Sequence, residues 1–329
     1  MNPQPLEQLD HPLPSVISSF GDQDPAGSKD SADPLAKLIH PFSPAPEPVA
    51  QSATMSLLPT GNFLEYYGLT DNPFADCVHP GFFYRTESHA EAFRSMMLAI
   101  EYNASLGMVT GPSGTGKTLV SQLLLQHLDP KKYQTILLLV TPGLSKSGLL
   151  REILSELNIG LPVGFVRIQD LVKQLSNHII EMYQRGQRLI LIVDECHFLD
   201  PDCLHLIRTI SNIEIPERKL TTCLLFGETR LARRLEHPGY ESLRNRIYMR
   251  AQLKPLRQEE VGQYVRFRLL VAGRMTELFT SFALAELHTL SGGVCRTLNK
   301  LCMLSLIEGA AQQRAVIDAT IVNACAEKV

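Results

Sequence analysis

Two short stretches of this chain carry residues whose types and spacing could do chemistry. Gly111-Pro112-Ser113-Gly114-Thr115-Gly116-Lys117-Thr118 fits G-x-x-x-x-G-K-[ST]. Glycines so placed let backbone N–H groups turn inward on phosphates, and the N-terminus of the helix that follows adds its positive end to the same anion. Lys117 is expected to reach the outer phosphates and the Thr118 hydroxyl to ligate magnesium. The second stretch, RLILIVDECHF at 188–198, runs five apolar residues into Asp194-Glu195-Cys196-His197. An acidic residue that ends a strand beside a phosphate loop can bind magnesium, directly or through water, which is the role expected of Asp194. Glu195 is then placed to polarise an attacking water as general base. An adjacent acidic pair after an apolar strand means little alone. Seventy-seven residues after Lys117, Asp194 points to nucleotide hydrolysis.

The elements that must position these groups are legible around them. A strand at 106–110 precedes the loop, and Leu119, Val120, Leu123, Leu124 and Leu128 mark one face of the helix after it. A strand at 135–141 follows, then a helix with the face Leu149, Leu150, Ile153, Leu154 and Leu157, and a further helix at 167–184. The strand at 189–193 comes next, Asp200 and Pro201 look like the cap and first residue of another helix, and a strand at 220–226 closes the series. Alternation with continuous apolar strands predicts an α/β fold, a parallel sheet covered by helices on both faces. From about 257 only helices are expected. The predicted organisation is a Pro/Ser/Asp-rich disordered tail over 1–60, a nucleotide-binding core over 61–253 and a small helical lid over 254–329.

Composition bounds the partners. The first 60 residues hold 11 of the 21 prolines with no sustained apolar period, so they cannot bury enough surface to offset ordering entropy. A cluster such as 35–39 could dock on a partner, and Met55 could be the true start. No stretch approaches the roughly 18 consecutive apolar residues of a membrane-spanning helix, and the N-terminus lacks the basic start and apolar run of a signal peptide. A cytoplasmic protein is expected. The seven cysteines, at 77, 196, 203, 223, 295, 302 and 325, form no C-x-x-C pair and read as buried reduced thiols. Cys196, His197, Cys203 and His205 match no zinc spacing, so core packing is the preferred reading for them. Net charge is -3, but residues 230–274 carry eleven basic and four acidic side chains against two and seven in residues 1–60.

DECH could be the box of a helicase, which needs two nucleotide-binding cores; only 134 residues follow Glu195, too few for a second one. One core with a helical lid resembles the AAA+ ATPases. Leu64-Glu65-Tyr66-Tyr67-Gly68-Leu69, Asn72-Pro73-Phe74, the phosphate loop, VDECHFL, LLFGETRL, LRNRIYMRAQLKPL and SGGVCRTLN occur in the order seen in the ExeA/GspA group of bacterial ATPases, over roughly 63 to 327. The resemblance implies ATP and magnesium as ligands. It places the sensor-two arginine at Arg296 on the lid, and an arginine finger, supplied to a neighbouring subunit of a ring or filament, at Arg244 or Arg246. It places the adenine near Tyr66, Tyr67 and Pro73, where aromatic residues could equally be core. Where relatives usually have a glutamine after the glycine of the sensor-one strand, this chain has Glu228 followed by Thr229, which leaves open which residue reads the phosphate; Thr229 is the candidate. Cys295 replaces a frequent proline before Arg296.

The resemblance leaves three kinds of client. The ExeA/GspA group includes secretion-pathway proteins whose ATPase is followed by a membrane helix and a peptidoglycan-binding region; neither is found here, so no direct role in crossing the cell wall is expected. ATPases of the MuB, TniB and TnsC kind, which regulate transposition, are also similar and assemble on DNA when ATP is bound, and the basic bias of 230–274 would suit phosphate contacts. A nucleotide switch that binds a protein partner needs no DNA.

Overall fold

The computed structural model describes residues 62–76, 80–160 and 166–328. The tail expected over 1–60, with its 35–39 cluster and Met55, and Cys77 lie outside these residues. The first described elements are α1 (Phe63–Tyr67) and α2 (Glu87–Glu101), followed by β1 (Leu106–Thr110), α3 (Lys117–His127), β2 (Tyr133–Leu139), α4 (Lys146–Glu156), α5 (Ile168–Gln184) and β3 (Arg188–Asp194). Then come α6 (Pro201–Ile210), the short hairpin β4 (Glu214–Ile215) and β5 (Arg218–Lys219), β6 (Thr221–Gly227), α7 (Thr229–Leu235), α8 (Glu241–Arg244) and β7 (Ile247–Gln252). Four helices complete the chain: α9 (Gln258–Val271), α10 (Ser281–Ser291), α11 (Cys295–Ala311) and α12 (Ala319–Ala326).

The expected parallel sheet is present, with strand order β2-β3-β6-β1-β7. β3 and β6 occupy central positions because their apolar residues run continuously and can be covered on both faces. On one face Leu149, Ile153, Leu175, Ile179 and Ile207, from α4, α5 and α6, pack against the strands. On the other, Phe93 and Met96 of α2 and Val120 and Leu124 of α3 meet Val109, Ile190, Ile192 and Phe226. At about 1.5–3 kcal/mol for each fully buried large apolar side chain, these layers fix where α3 begins relative to the end of β3. The strand expected at 135–141 starts two residues earlier, and β7 was not anticipated: in IYMRAQ only Ile247 and Ala251 are buried, the alternation of a half-exposed edge strand.

The register decides what the ends of the strands share. Thr110 at the end of β1 pairs with Gly227 at the end of β6, and Val193 of β3 pairs with Leu225. β6 therefore stands between the strand of the phosphate loop and the strand of the acidic pair, and its last residues open onto both. The helices after β7 form their own core, which includes residues from before the sheet: Tyr67, Leu69 and Phe74 are buried with Val261, Leu287 and Leu298.

Candidate functional site

The phosphate loop is shaped by its own sequence. Gly114 and Gly116 have φ of 76° and 93°, left-handed backbone that glycine adopts without penalty, and Gly116 is the N-cap of α3. A side chain at Gly116 would meet Nε2 of His89 at 2.8 Å. His89 lies on the buried face of α2, its Nε2 2.9 Å from the Thr115 carbonyl oxygen and its Nδ1 2.6 Å from the Thr86 hydroxyl, so α2 props the loop from beneath. Burial pushes the His89 imidazole below its usual range, which leaves a neutral ring with an N–H available to the Thr115 carbonyl.

Lys117 is 4% exposed and donates to the carbonyl oxygens of Gly111 (3.3 Å) and Pro112 (3.0 Å). Burial lowers its proton affinity, opposed by the negative charges of Glu195, Asp194 and Glu228. The ammonium is thus held by its own loop, with three carboxylates near enough to favour its charged form. The Thr118 hydroxyl donates to Oδ2 of Asp194 (2.7 Å), and Asp194 is itself buried, with Oδ1 accepting from the Glu195 backbone N–H (2.8 Å). These are hard oxygen donors on adjacent elements, the chemistry that Mg²⁺ takes. Glu195 adopts φ 55°, a left-handed conformation uncommon outside glycine, which turns its carboxyl into the cleft. Burial raises its pKa, with Lys117 acting in the opposite direction.

Arg296 stands at the start of α11, where its backbone N–H donates to the Gly114 carbonyl (3.3 Å) and its Nη1 to the Ser113 hydroxyl (3.3 Å). A side chain at Gly114 would come within 2.7 Å of the Arg296 Cβ, so the lid rests directly on the loop. Between lid and core opens a cleft of about 360 Å³ lined by Ser113 to Thr118 and Glu195. It is also lined by Phe82, Phe83 and Tyr84 from the segment before α2 and by Tyr264, Arg268 and Asn299 from the lid. Tyr66, Tyr67 and Pro73 are not part of this lining: Tyr67 is buried in the lid core with its hydroxyl donating to the Arg314 carbonyl (3.0 Å), and the Pro73 carbonyl accepts from Arg268.

Thr229 begins α7, and the residue whose charge reaches Lys117 is its neighbour Glu228. Arg244 and Arg246 lie elsewhere. The pairing of Leu106 with Ile247 puts them beside the beginning of β1, roughly 13 Å along the strand from Thr110, and neither lines the cleft. Arg244 donates to the Glu236 carbonyl (3.1 Å) and Arg246 to the Asn212 side chain. Cys196, His197, Cys203 and His205 do not gather into a ligand set; among the described residues the potential ligand atoms that lie close together belong to Glu195, His197 and Glu228.

Residues 100–235 match the AAA domain family. Over 252 residues, 76% of this chain and 45% of the relative, the sequence is 34% identical to general secretion pathway protein A of Aeromonas hydrophila, so the chain spans less than half the length of that relative. Of the solved structures, the ORC2 protein of Aeropyrum pernix superposes with a TM-score of 0.59 at 14% identity, over 78% of this chain and 71% of that one. Cdc6p from Pyrobaculum aerophilum gives 0.57 at 16% identity, over 76% and 68%. At such identities these two likenesses speak for the fold alone.

Proposed function

We propose that this AAA+ ATPase, similar over most of its length to the ExeA/GspA-type proteins, binds ATP with magnesium and works as an oligomeric switch or motor on a macromolecular client. The observation that carries the reading is the meeting of four side chains at one end of the sheet: Lys117 and Thr118 from α3, Asp194 and Glu195 from the end of β3. On an incoming nucleotide, Lys117 leaves the loop carbonyls for the outer phosphates, and the backbone N–H groups of Gly114 to Thr118 face the same oxygens. Thr118 and Asp194 would hold magnesium, which when bound neutralises charge on the transferring phosphate. Glu195 takes the proton of the attacking water. Arg296 completes the cage from the lid side, and the aromatic walls of the cleft take the base.

Because Arg244 and Arg246 are a strand's length from their own loop, their fitting place is the phosphate of a neighbouring subunit, which makes hydrolysis depend on assembly. Free, mostly buried cysteines, Cys196, Cys203, Cys223, Cys302 and Cys325 among them, suit a reducing cytoplasmic setting. Among the described residues no helix is long and apolar enough to cross a membrane. For the client, the arginines of 230–274 matter: Arg230 pairs with Glu228, Arg257 with Glu260 and Arg266 with Glu277, while Arg234, Arg268 and Arg274 donate to backbone carbonyls. These arginines have partners within the fold, three of them carboxylates, which supports a protein client beside the DNA alternative that the remaining positive charge keeps open.

The test compares ATP binding and turnover in wild type and Glu195→Gln, together with DNA binding at varied salt with and without ATP. The reading expects the amide to keep affinity and stop turnover, and DNA to bind weakly in both nucleotide states. Wild-type hydrolysis by Glu195→Gln would reassign the base, and ATP-dependent, salt-sensitive DNA binding would move the client to nucleic acid.

A further inference from the structure

Behind Glu195 a buried imidazole joins β3 to β6. His197 lies in the 3-10 turn Cys196–Phe198, and its side chain is 1% exposed. Its Nδ1 is 3.2 Å from Oε2 of Glu195 and its Nε2 3.8 Å from Oε1 of Glu228. The backbone N–H of Glu228 also points at Nδ1, at 3.3 Å. Nε2 is buried without a hydrogen-bond partner, an arrangement that calls for an explanation. Burial lowers the proton affinity of the ring, with Glu228 opposing, so the neutral form carries a single N–H.

That one hydrogen has two places, and they exclude each other. On Nδ1 it is donated to Glu195, which fixes one carboxylate oxygen and leaves the other facing the cleft. On Nε2 it faces Glu228, Nδ1 accepts the Glu228 N–H, and a lone pair is turned on Oε2 of Glu195, which is then no longer held. We propose that His197 is a positioning residue for hydrolysis, orienting Glu195 for its water and linking that orientation to Glu228 at the end of β6. The inference rests on the reading of Glu195 as general base. Glu228 is suited to the other end of the link: its carboxylate pairs with Arg230 at 3.1 Å and its field reaches Lys117, so an anion drawn to Lys117 acts on it directly. The hydrogen-bonded state on Nδ1 is the competent one, because a carboxylate held by one oxygen presents the other in a fixed direction.

The experiment measures ATP turnover and nucleotide affinity for wild type, His197→Ala and His197→Gln, and follows the imidazole ¹⁵N signals of His197 in wild type, Glu195→Gln and Glu228→Gln. Losing one hydrogen bond to a charged group corresponds to a kcat lower by about 10- to 100-fold in His197→Ala, with affinity within about twofold. His197→Gln recovers most of the rate, since its amide can donate to Glu195 while its oxygen faces the Glu228 N–H. The ring signals shift in both glutamate variants, a readout that needs no turnover and so still tests the link if the hydrolysis reading itself fails. A kcat unchanged in His197→Ala, or equal losses of rate and affinity in the Ala and Gln variants, would reduce His197 to a packed core side chain. Ring signals indifferent to both glutamate changes would overturn the link.

Discussion

The Thr118 hydroxyl and Asp194 Oδ2, 2.7 Å apart, join the first turn of α3 to the last residue of β3. A divalent cation would take both oxygens in place of the shared hydrogen. Asp194→Asn keeps the shape and can still accept from Thr118, but loses the charge. Nucleotide binding titrated with Mg²⁺ should then need at least about tenfold more metal. The same Mg²⁺ dependence in the variant would show that the cation is held elsewhere.

Lys117→Ala removes the cation that the proposed function assigns to the outer phosphates. With about 1.5–3 kcal/mol for each hydrogen bond to a charged group, ATP affinity should fall by about 100-fold or more, read by calorimetry. The same change takes the donor from the Gly111 and Pro112 carbonyls, so thermal stability without nucleotide should fall modestly, the released desolvation cost of the ammonium offsetting part of the loss. Full affinity in this variant would remove the nucleotide site from the loop.

His89→Ala takes the support from beneath the loop and leaves the Thr115 carbonyl oxygen without its 2.9 Å contact. An unsatisfied buried acceptor costs about 1–3 kcal/mol, so melting temperature should drop and nucleotide affinity weaken several-fold. A variant with wild-type affinity and melting temperature would make the contact incidental.

Gly293→Ala addresses the seat of α11 on the segment that leads from β7 into the lid. Gly293 has φ 73°, and an added Cβ would lie 2.0 Å from the carbonyl oxygen of Leu256. The backbone alone costs about 1 kcal/mol, and the overlap forces 256 and 293 apart, breaking the 2.8 Å bond from the Leu256 N–H to the Gly293 carbonyl. Lower thermal stability with weakened nucleotide binding is expected, since Arg296 is three residues on. Unchanged unfolding would mean that the seat gives way without consequence.

The proposed role of Arg244 or Arg246 on a neighbouring subunit's nucleotide is tested through assembly. Turnover per subunit should rise with protein concentration, and Glu195→Gln mixed with Arg244→Ala or Arg246→Ala should recover activity if the arginine acts across an interface, where a finger contributes on the order of 10³ in rate. Flat specific activity with no rescue in either mixture would point to a self-contained monomer.

Local pattern was enough for the loop, the acidic pair and four of the five long strands, because each is a short signal read in place: glycines before a helix, or an apolar run ending in acid. β7 escaped because Arg250 interrupts it and half its residues face solvent, so IYMRAQ lacks an apolar run. Glu228 escaped for a different reason. Its nearness to Lys117 follows from β6 standing between β1 and β3, a strand order that chain order does not contain. His89 had a usable signal, since 89, 93, 96 and 100 share one helical face with buried neighbours, but nothing local ties that face to a loop 26 residues on. Tyr66 and Tyr67 were placed by resemblance near the base, whereas the cleft is walled by Phe82, Phe83, Tyr84 and Tyr264.

Residues 67–74, which precede the sheet in the chain, are packed into the core of the helices that follow it: Tyr67 donates to the Arg314 carbonyl, Arg274 to the Tyr67 carbonyl, and the Arg268 guanidinium lies over the rings of Phe74 and Phe82. Mechanically, α1 is cargo of the lid. The segment that opens the described chain at Asn62 is thereby tied to α11, the helix that sets Arg296 against the phosphate loop.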